Sequence, residues 1–84
     1  MTREKCLEVL DRYERFLSPL GPKKKDREMV NHILFKMIPK MDAMLVIPSQ
    51  EDIEKFMRWL GFIQGVLWQR GWFTLEELKE HNHE

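Results

Sequence analysis

The segment from Pro48 to Gly71 constrains the fold of this chain more than any other. It opens on Pro48-Ser49-Gln50-Glu51-Asp52, where Ser49 is placed to cap a helix and Asp52 stands at the third helical position to complete a capping box. It closes at Gly71, the residue type that most readily leaves a helix in the left-handed conformation. Between these signals stand Ile53, Phe56, Met57, Trp59, Leu60, Phe62, Ile63, Val66, Leu67 and Trp68. Phe62 apart, they cover about 200° of the helical wheel, twice the arc that one packing contact needs. The spacing therefore predicts a central helix running to about Arg70 and buried on two sides.

The flanking segments are also written at helical spacing. From about Thr2 to Leu17, the apolar positions Cys6, Val9, Leu10, Tyr13, Phe16 and Leu17 fall within an arc of about 120°, with Thr2 as the expected N-cap. Ser18-Pro19 and Gly21-Pro22 close this helix, because each proline disfavours a helical residue before it, and residues from about 18 to 25 form a connector. A second helix is expected from Asp26, as N-cap, with Val30, Leu34, Met37, Met41 and Met44 forming a heptad-like seam widened by Met29, Ile33, Ile38 and Leu45. Pro39 interrupts its hydrogen bonding at a cost of about 3 kcal/mol. The apolar phase continues past it, which predicts a bent but continuous helix; two shorter helices joined near Pro39 are the alternative. Thr74-Leu75-Glu76-Glu77 is a second capping box, with Phe73 and Leu78 placed as a hydrophobic staple, and predicts a short last helix to about Lys79 or His81 with a frayed end over about 81–84. The expected fold is a single all-α domain spanning residues 1–84, a small bundle of three long helices plus one short C-terminal helix.

A chain of 84 residues hides only roughly 60–65% of the surface it exposes when unfolded, so help from a second subunit is an advantage. Its 14 basic and 14 acidic side chains cancel, which argues against a generic electrostatic binder of nucleic acid and leaves only a local patch open. The single cysteine, Cys6, has no intrachain partner for a disulfide and reads as a small core residue, so a cytoplasmic setting is expected. The N-terminus is charged from Arg3 onward, unlike a signal peptide, and the most apolar stretch is broken by Arg58, Gln64, Gln69 and Arg70, unlike a membrane span.

Several groups stand out as candidates for a task. Gly61 and Gly65 lie four apart on the central helix, where each costs about 1 kcal/mol relative to alanine, so close packing within the bundle, close packing across a homodimer, or a ligand needing backbone proximity is expected there. Trp59, Phe62, Trp68, Trp72 and Phe73 concentrate the aromatic surface and are candidate partner-binding residues, unless they serve only the core. Met29, Met37, Met41, Met44 and Met57 suit either a core or a repackable contact surface. Lys23, Lys24, Lys25 and Arg27 form a basic run at the start of the second helix, an alternative anion-binding site that Lys36 and Lys40 extend along one face. Catalytic and metal-binding signatures are lacking: His32 projects away from the methionine seam, so a Cys6–His32 pair would be accidental, the tail residues His81, His83 and Glu84 offer no fixed geometry for a metal, and no cofactor is implied.

The run Arg58-Trp59-Leu60-Gly61-Phe62-Ile63-Gln64-Gly65-Val66-Leu67-Trp68, followed by Gly71 and Thr74-Leu75-Glu76-Glu77-Leu78-Lys79-Glu80-His81-Asn82, resembles a C-terminal pattern of small helical proteins encoded in tailed-bacteriophage genomes. The resemblance covers about 25 residues. It implies an intracellular protein made during infection of a bacterium, and it supplies no catalytic residue. The expected function is stoichiometric: a non-enzymatic protein, self-associating as a homodimer, that binds a host protein and modulates or inhibits it. A nucleic-acid or nucleotide binder using the lysine run is the alternative.

Overall fold

The computed structural model describes residues 1–20 and 26–83. All regular structure among them is helical: α1 (Arg3–Leu17), a 3-10 turn (Ser18–Leu20), α2 (Arg27–Asn31), a π-helical segment (His32–Met37), α3 (Ile38–Met44), α4 (Gln50–Gln69) and α5 (Leu75–His81). The local signals behave as their chemistry requires. Thr2 accepts a hydrogen bond from the Lys5 backbone N–H, and Ser49 with Asp52 and Thr74 with Glu77 each form a reciprocal capping box. The backbone N–H of the capping residue donates to the Asp52 carboxylate at 3.1 Å and to the Glu77 carboxylate at 2.9 Å, which holds both carboxyls below their ordinary pKa. At the end of α4, Gly71 has φ +73°, with its N–H bonded to Trp68 O and the Trp72 N–H bonded to Leu67 O. That pair of bonds closes the helix and turns the chain toward α5.

Residues 27–44 remain helical throughout, continuous as the sequence predicts, with a π-helical segment before Pro39. Pro39 has no N–H to offer, and its ring would crowd the Phe35 carbonyl four residues earlier. The chain answers by widening the preceding turn: the Ile38 N–H bonds to Ile33 O, five residues back, and His32–Met37 adopt π geometry before α3 resumes. Asp26 also departs from expectation. Its carbonyl receives the Val30 N–H, but its carboxylate makes no capping bond and instead accepts a hydrogen bond from Arg70 Nη1 at 2.6 Å, pinning the start of α2 to the end of α4. Arg3 Nε likewise donates to Leu45 O at 2.6 Å, joining the start of α1 to the end of α3.

The core is built from one stripe of each helix: Cys6, Val9, Leu10, Tyr13 and Leu17 from α1; Val30, Ile33, Met37, Ile38 and Met41 from the rod of residues 27–44; Phe56, Leu60, Ile63 and Leu67 from α4; and Leu78 from α5. Helix α4 is buried on one side only, not on two. The Cα dimensions are 37 × 27 × 18 Å, and at an interaxial spacing of 8–10 Å the shortest accommodates two helix layers and not a third.

A polar chain lies at the edge of this core. Gln64 Nε2 donates to Tyr13 Oη at 3.0 Å, and the same hydroxyl shares a hydrogen bond of 2.8 Å with His81 Nδ1. Gln64 and Asn82 then exchange amide hydrogen bonds of 2.8 and 3.1 Å. The expected frayed end is therefore corrected: His81 is 6% exposed and Asn82 is half-buried, because the two residues close α5 onto α1 and α4. Burial is the main cause that lowers the His81 pKa from its ordinary 6.5, with Arg12 nearby acting in the same direction, and burial also raises that of Tyr13.

Because the folded imidazole takes a proton less readily than the unfolded one, the unfolded chain protonates first as the pH falls. The stability that neutral His81 contributes is fully present above about pH 6.5 and is lost below it, until the folded-state imidazole also protonates. Urea unfolding is expected to show a lower midpoint at about pH 5.5 than at about pH 7.5, and His81→Gln is expected to flatten that difference. Equal midpoints for the unsubstituted chain would contradict the assignment. Tyr13→Phe, which leaves Gln64 Nε2 and His81 Nδ1 without their hydroxyl partner, is expected to cost about 1–3 kcal/mol at neutral pH by the same measurement.

Candidate functional site

The face of α4 that the core leaves open carries a strip of exposed apolar and glycine residues. Ile53, Met57, Gly61 and Gly65 follow one another at intervals of four, with Trp68 three residues further on, and all five are exposed. Trp68 is 56% exposed and Met57 40%. A Cβ built on Gly61 or Gly65 meets no atom within 4 Å, so among the described residues no other helix fills the space beside the glycine strip. Close packing within the bundle is thereby removed as the reason for these residues. Beside the strip, Trp68, Gly65 and Gln64 border a shallow hollow of about 220 Å³ whose far wall is Leu75, Leu78, Lys79 and Asn82 of α5 and its C-cap.

The five candidate aromatics divide into three groups. Trp72 and Phe73, in the turn after α4, are half-buried and belong to an intramolecular cluster. The Phe16 ring lies 5.9 Å from that of Trp72 and 4.7 Å from that of Phe73, and Phe73 meets His81 edge-on at 4.8 Å. These two rings serve the interior. Trp68 stands alone on the glycine face. Trp59 and Phe62 lie elsewhere on α4, Phe62 about 120° around the helix from Trp68. Phe62 is 50% exposed, and together the two rings form one wall of a groove of about 360 Å³. The other wall is His32, Lys36, Met37 and Lys40 from the π segment and α3, and Lys55 Nζ stands 5.2 Å from the centre of the Trp59 ring.

A second and larger groove, of about 690 Å³, flanks the opposite side of the same rod, against α1. Leu10, Leu34, Phe35 and Ile38 are among its apolar lining, and Asp11, Glu14 and Asp42 supply its charge. Phe35 is 68% exposed. It lies outside the apolar seam that defines the second helix, and that displacement was the one sign in the sequence that it faces outward. The wide, charged spaces on either side come from the packing of distant segments and leave no local sequence pattern.

Of the alternative anion site, Lys23, Lys24 and Lys25 lie outside the described residues, and Arg27 is exposed in the first turn of α2. Cys6 is buried, and among the described residues no group of three or more His, Cys, Asp or Glu side chains is placed to hold a metal ion. No helix of the described chain is long and apolar enough to cross a membrane.

The three described glycines that end or line α4 make opposite predictions. Gly61→Ala and Gly65→Ala enter open space at helical φ and are each expected to stabilise the isolated chain by up to about 1 kcal/mol. Gly71→Ala enters equally open space but at φ +73°, and is expected to destabilise it by about 1–2 kcal/mol. Thermal unfolding of the three variants checks both signs. Compared with known proteins, the chain matches no family model, no curated protein and no solved structure, so what these surfaces do must follow from their geometry and chemistry.

Proposed function

We propose that this is a non-enzymatic interaction protein: a small helical module that associates with itself through α4 and binds another protein stoichiometrically, modulating or inhibiting it. The observation that carries the proposal is the exposed apolar strip of α4, where Met57 and Trp68 flank two glycines at which an added methyl would meet no described atom. Covering such a face is favourable by roughly 25 cal/mol per Å² of apolar area. Glycine backbones also let a second helix approach more closely than side chains otherwise permit. A two-fold dimer, in which the same face is presented by both copies, satisfies the strip most simply. The polar groups at the core edge support binding over catalysis, since Tyr13, His81, Gln64 and Asn82 are spent on one another. In this proposal the protein works in the cytoplasm of an infected bacterium, as its resemblance to small phage-encoded proteins implies, and the second partner is a host protein.

Native mass spectrometry of the protein purified gently from bacterial cells tests both halves together. The expected species is a homodimer that retains a host polypeptide. Gly65→Leu is expected to leave the helical circular-dichroism spectrum unchanged while abolishing the dimer, and Trp68→Ala to weaken it tenfold or more, as for a residue at the centre of an interface. A monomer that retains no polypeptide overturns the proposal.

A further inference from the structure

The zero net charge of this chain conceals a difference between the two grooves that flank the rod of residues 27–44. Asp11, which pairs with Arg15 at 3.1 Å, Glu14 and Asp42 are the charged residues lining one, and His32, Lys36 and Lys40 are the ionisable residues lining the other. Lys36 and Lys40 have no acidic partner among the described residues. They are exposed, and they face the rings of Trp59 and Phe62 across the groove. Lys55 adds a third ammonium beside Trp59.

From this arrangement we propose that the groove between the π segment and α4 is a binding site for single-stranded nucleic acid. The geometry supplies both things that such a ligand needs: aromatic faces on which unpaired bases stack, and a row of cations for the backbone. His32, Lys36 and Lys40 follow at intervals of four, a rise of about 6 Å per step along a helix. Residues four apart drift by about 40° around an α-helix, and the wider π turn between His32 and Met37 offsets that drift, so all three line the same groove. A duplex keeps its base faces stacked inside and leaves nothing for Trp59 and Phe62 to bind. The groove holds about 360 Å³, which suits about one nucleotide of a longer strand. The site uses a different face of the molecule from the glycine strip, so it stands or falls independently of the dimer.

Fluorescence anisotropy with a labelled 12-nucleotide oligothymidylate tests the proposal. With Lys36, Lys40 and Lys55 on phosphates, log K is expected to fall against log salt with a slope of about −2, which is roughly a 30-fold loss of affinity for a fivefold rise in salt. Lys36→Gln combined with Lys40→Gln is expected to reduce that slope to about −0.7. Phe62→Ala, at a half-exposed position where folding is not at stake, is expected to weaken binding about fivefold or more. Lys79→Gln, which removes a positive charge on α5 away from the groove, is the control and is expected to leave binding and its salt slope unchanged. Absence of binding at low salt overturns the proposal, as does a double lysine variant that binds with unaltered slope. Thymidine monophosphate binding as tightly as the 12-mer would overturn the strand in favour of a free nucleotide, and displacement by polyglutamate as effective as by unlabelled oligonucleotide would overturn the role of base stacking.

Discussion

The hydrogen-bonded chain from His81 through Tyr13 to Gln64 and Asn82 is the interaction on which the arrangement of this protein depends. Helix α5 has only seven residues and contributes Leu78 as its single buried aliphatic side chain, too little apolar surface to dock on that basis alone. What seats it is a set of polar groups that satisfy one another: the Gln64 amide gives to the Tyr13 hydroxyl, the hydroxyl and the His81 imidazole share a hydrogen bond, and the two amides exchange a pair. Once α5 is seated, the Phe73 ring is fixed between Phe16 and His81, and the turn after α4 acquires its shape. Two of the five aromatic candidates are thereby drawn inward, and Trp68 is left outside.

A second constraint acts through one missing atom. Because Pro39 lacks a backbone hydrogen, the turn before it opens to π geometry, and that turn supplies residues to both flanking grooves: Leu34 and Phe35 on the acidic side, His32, Lys36 and Met37 on the basic side. A feature that reads as a defect in a helix thus becomes the place where the rod presents different chemistry to its two sides. π-helical turns within α-helices often coincide with functional sites for this reason, since the change of phase re-aims side chains without breaking the rod.

Much of the fold was legible in the sequence, and what was legible was local. The capping boxes at Ser49 and Thr74, the stop at Gly71 and the buried stripe of α1 all depend on residues within a turn or two of one another, so spacing alone reveals them. The failures share the opposite property. Asp26 chose Arg70, 44 residues away, over its own helix, and His81 found Tyr13 at a separation of 68. The breadth of the apolar arc on α4 was read correctly from the wheel, but whether a neighbour covers each part of it depends on how many layers so short a chain can stack. Residue type could not separate Trp68 and Phe62, which face outward, from Trp72 and Phe73, which do not. The groove between Lys36, Lys40 and the rings of Trp59 and Phe62 was half visible, because the lysines were noted as a pair on one face while the aromatics opposite belong to another helix.

The opposed charges on the two sides of the rod have a consequence for how this molecule meets anything else. With no monopole, it exerts almost no attraction on a charged partner beyond the Debye length of about 10 Å at 0.1 M salt. Inside that distance a partner meets the local charge of whichever flank it approaches, Glu14 and Asp42 on one side and Lys36 and Lys40 on the other. Encounters are then set by ordinary diffusion rather than by long-range steering, and the choice of flank is made only in the last layers of water before contact.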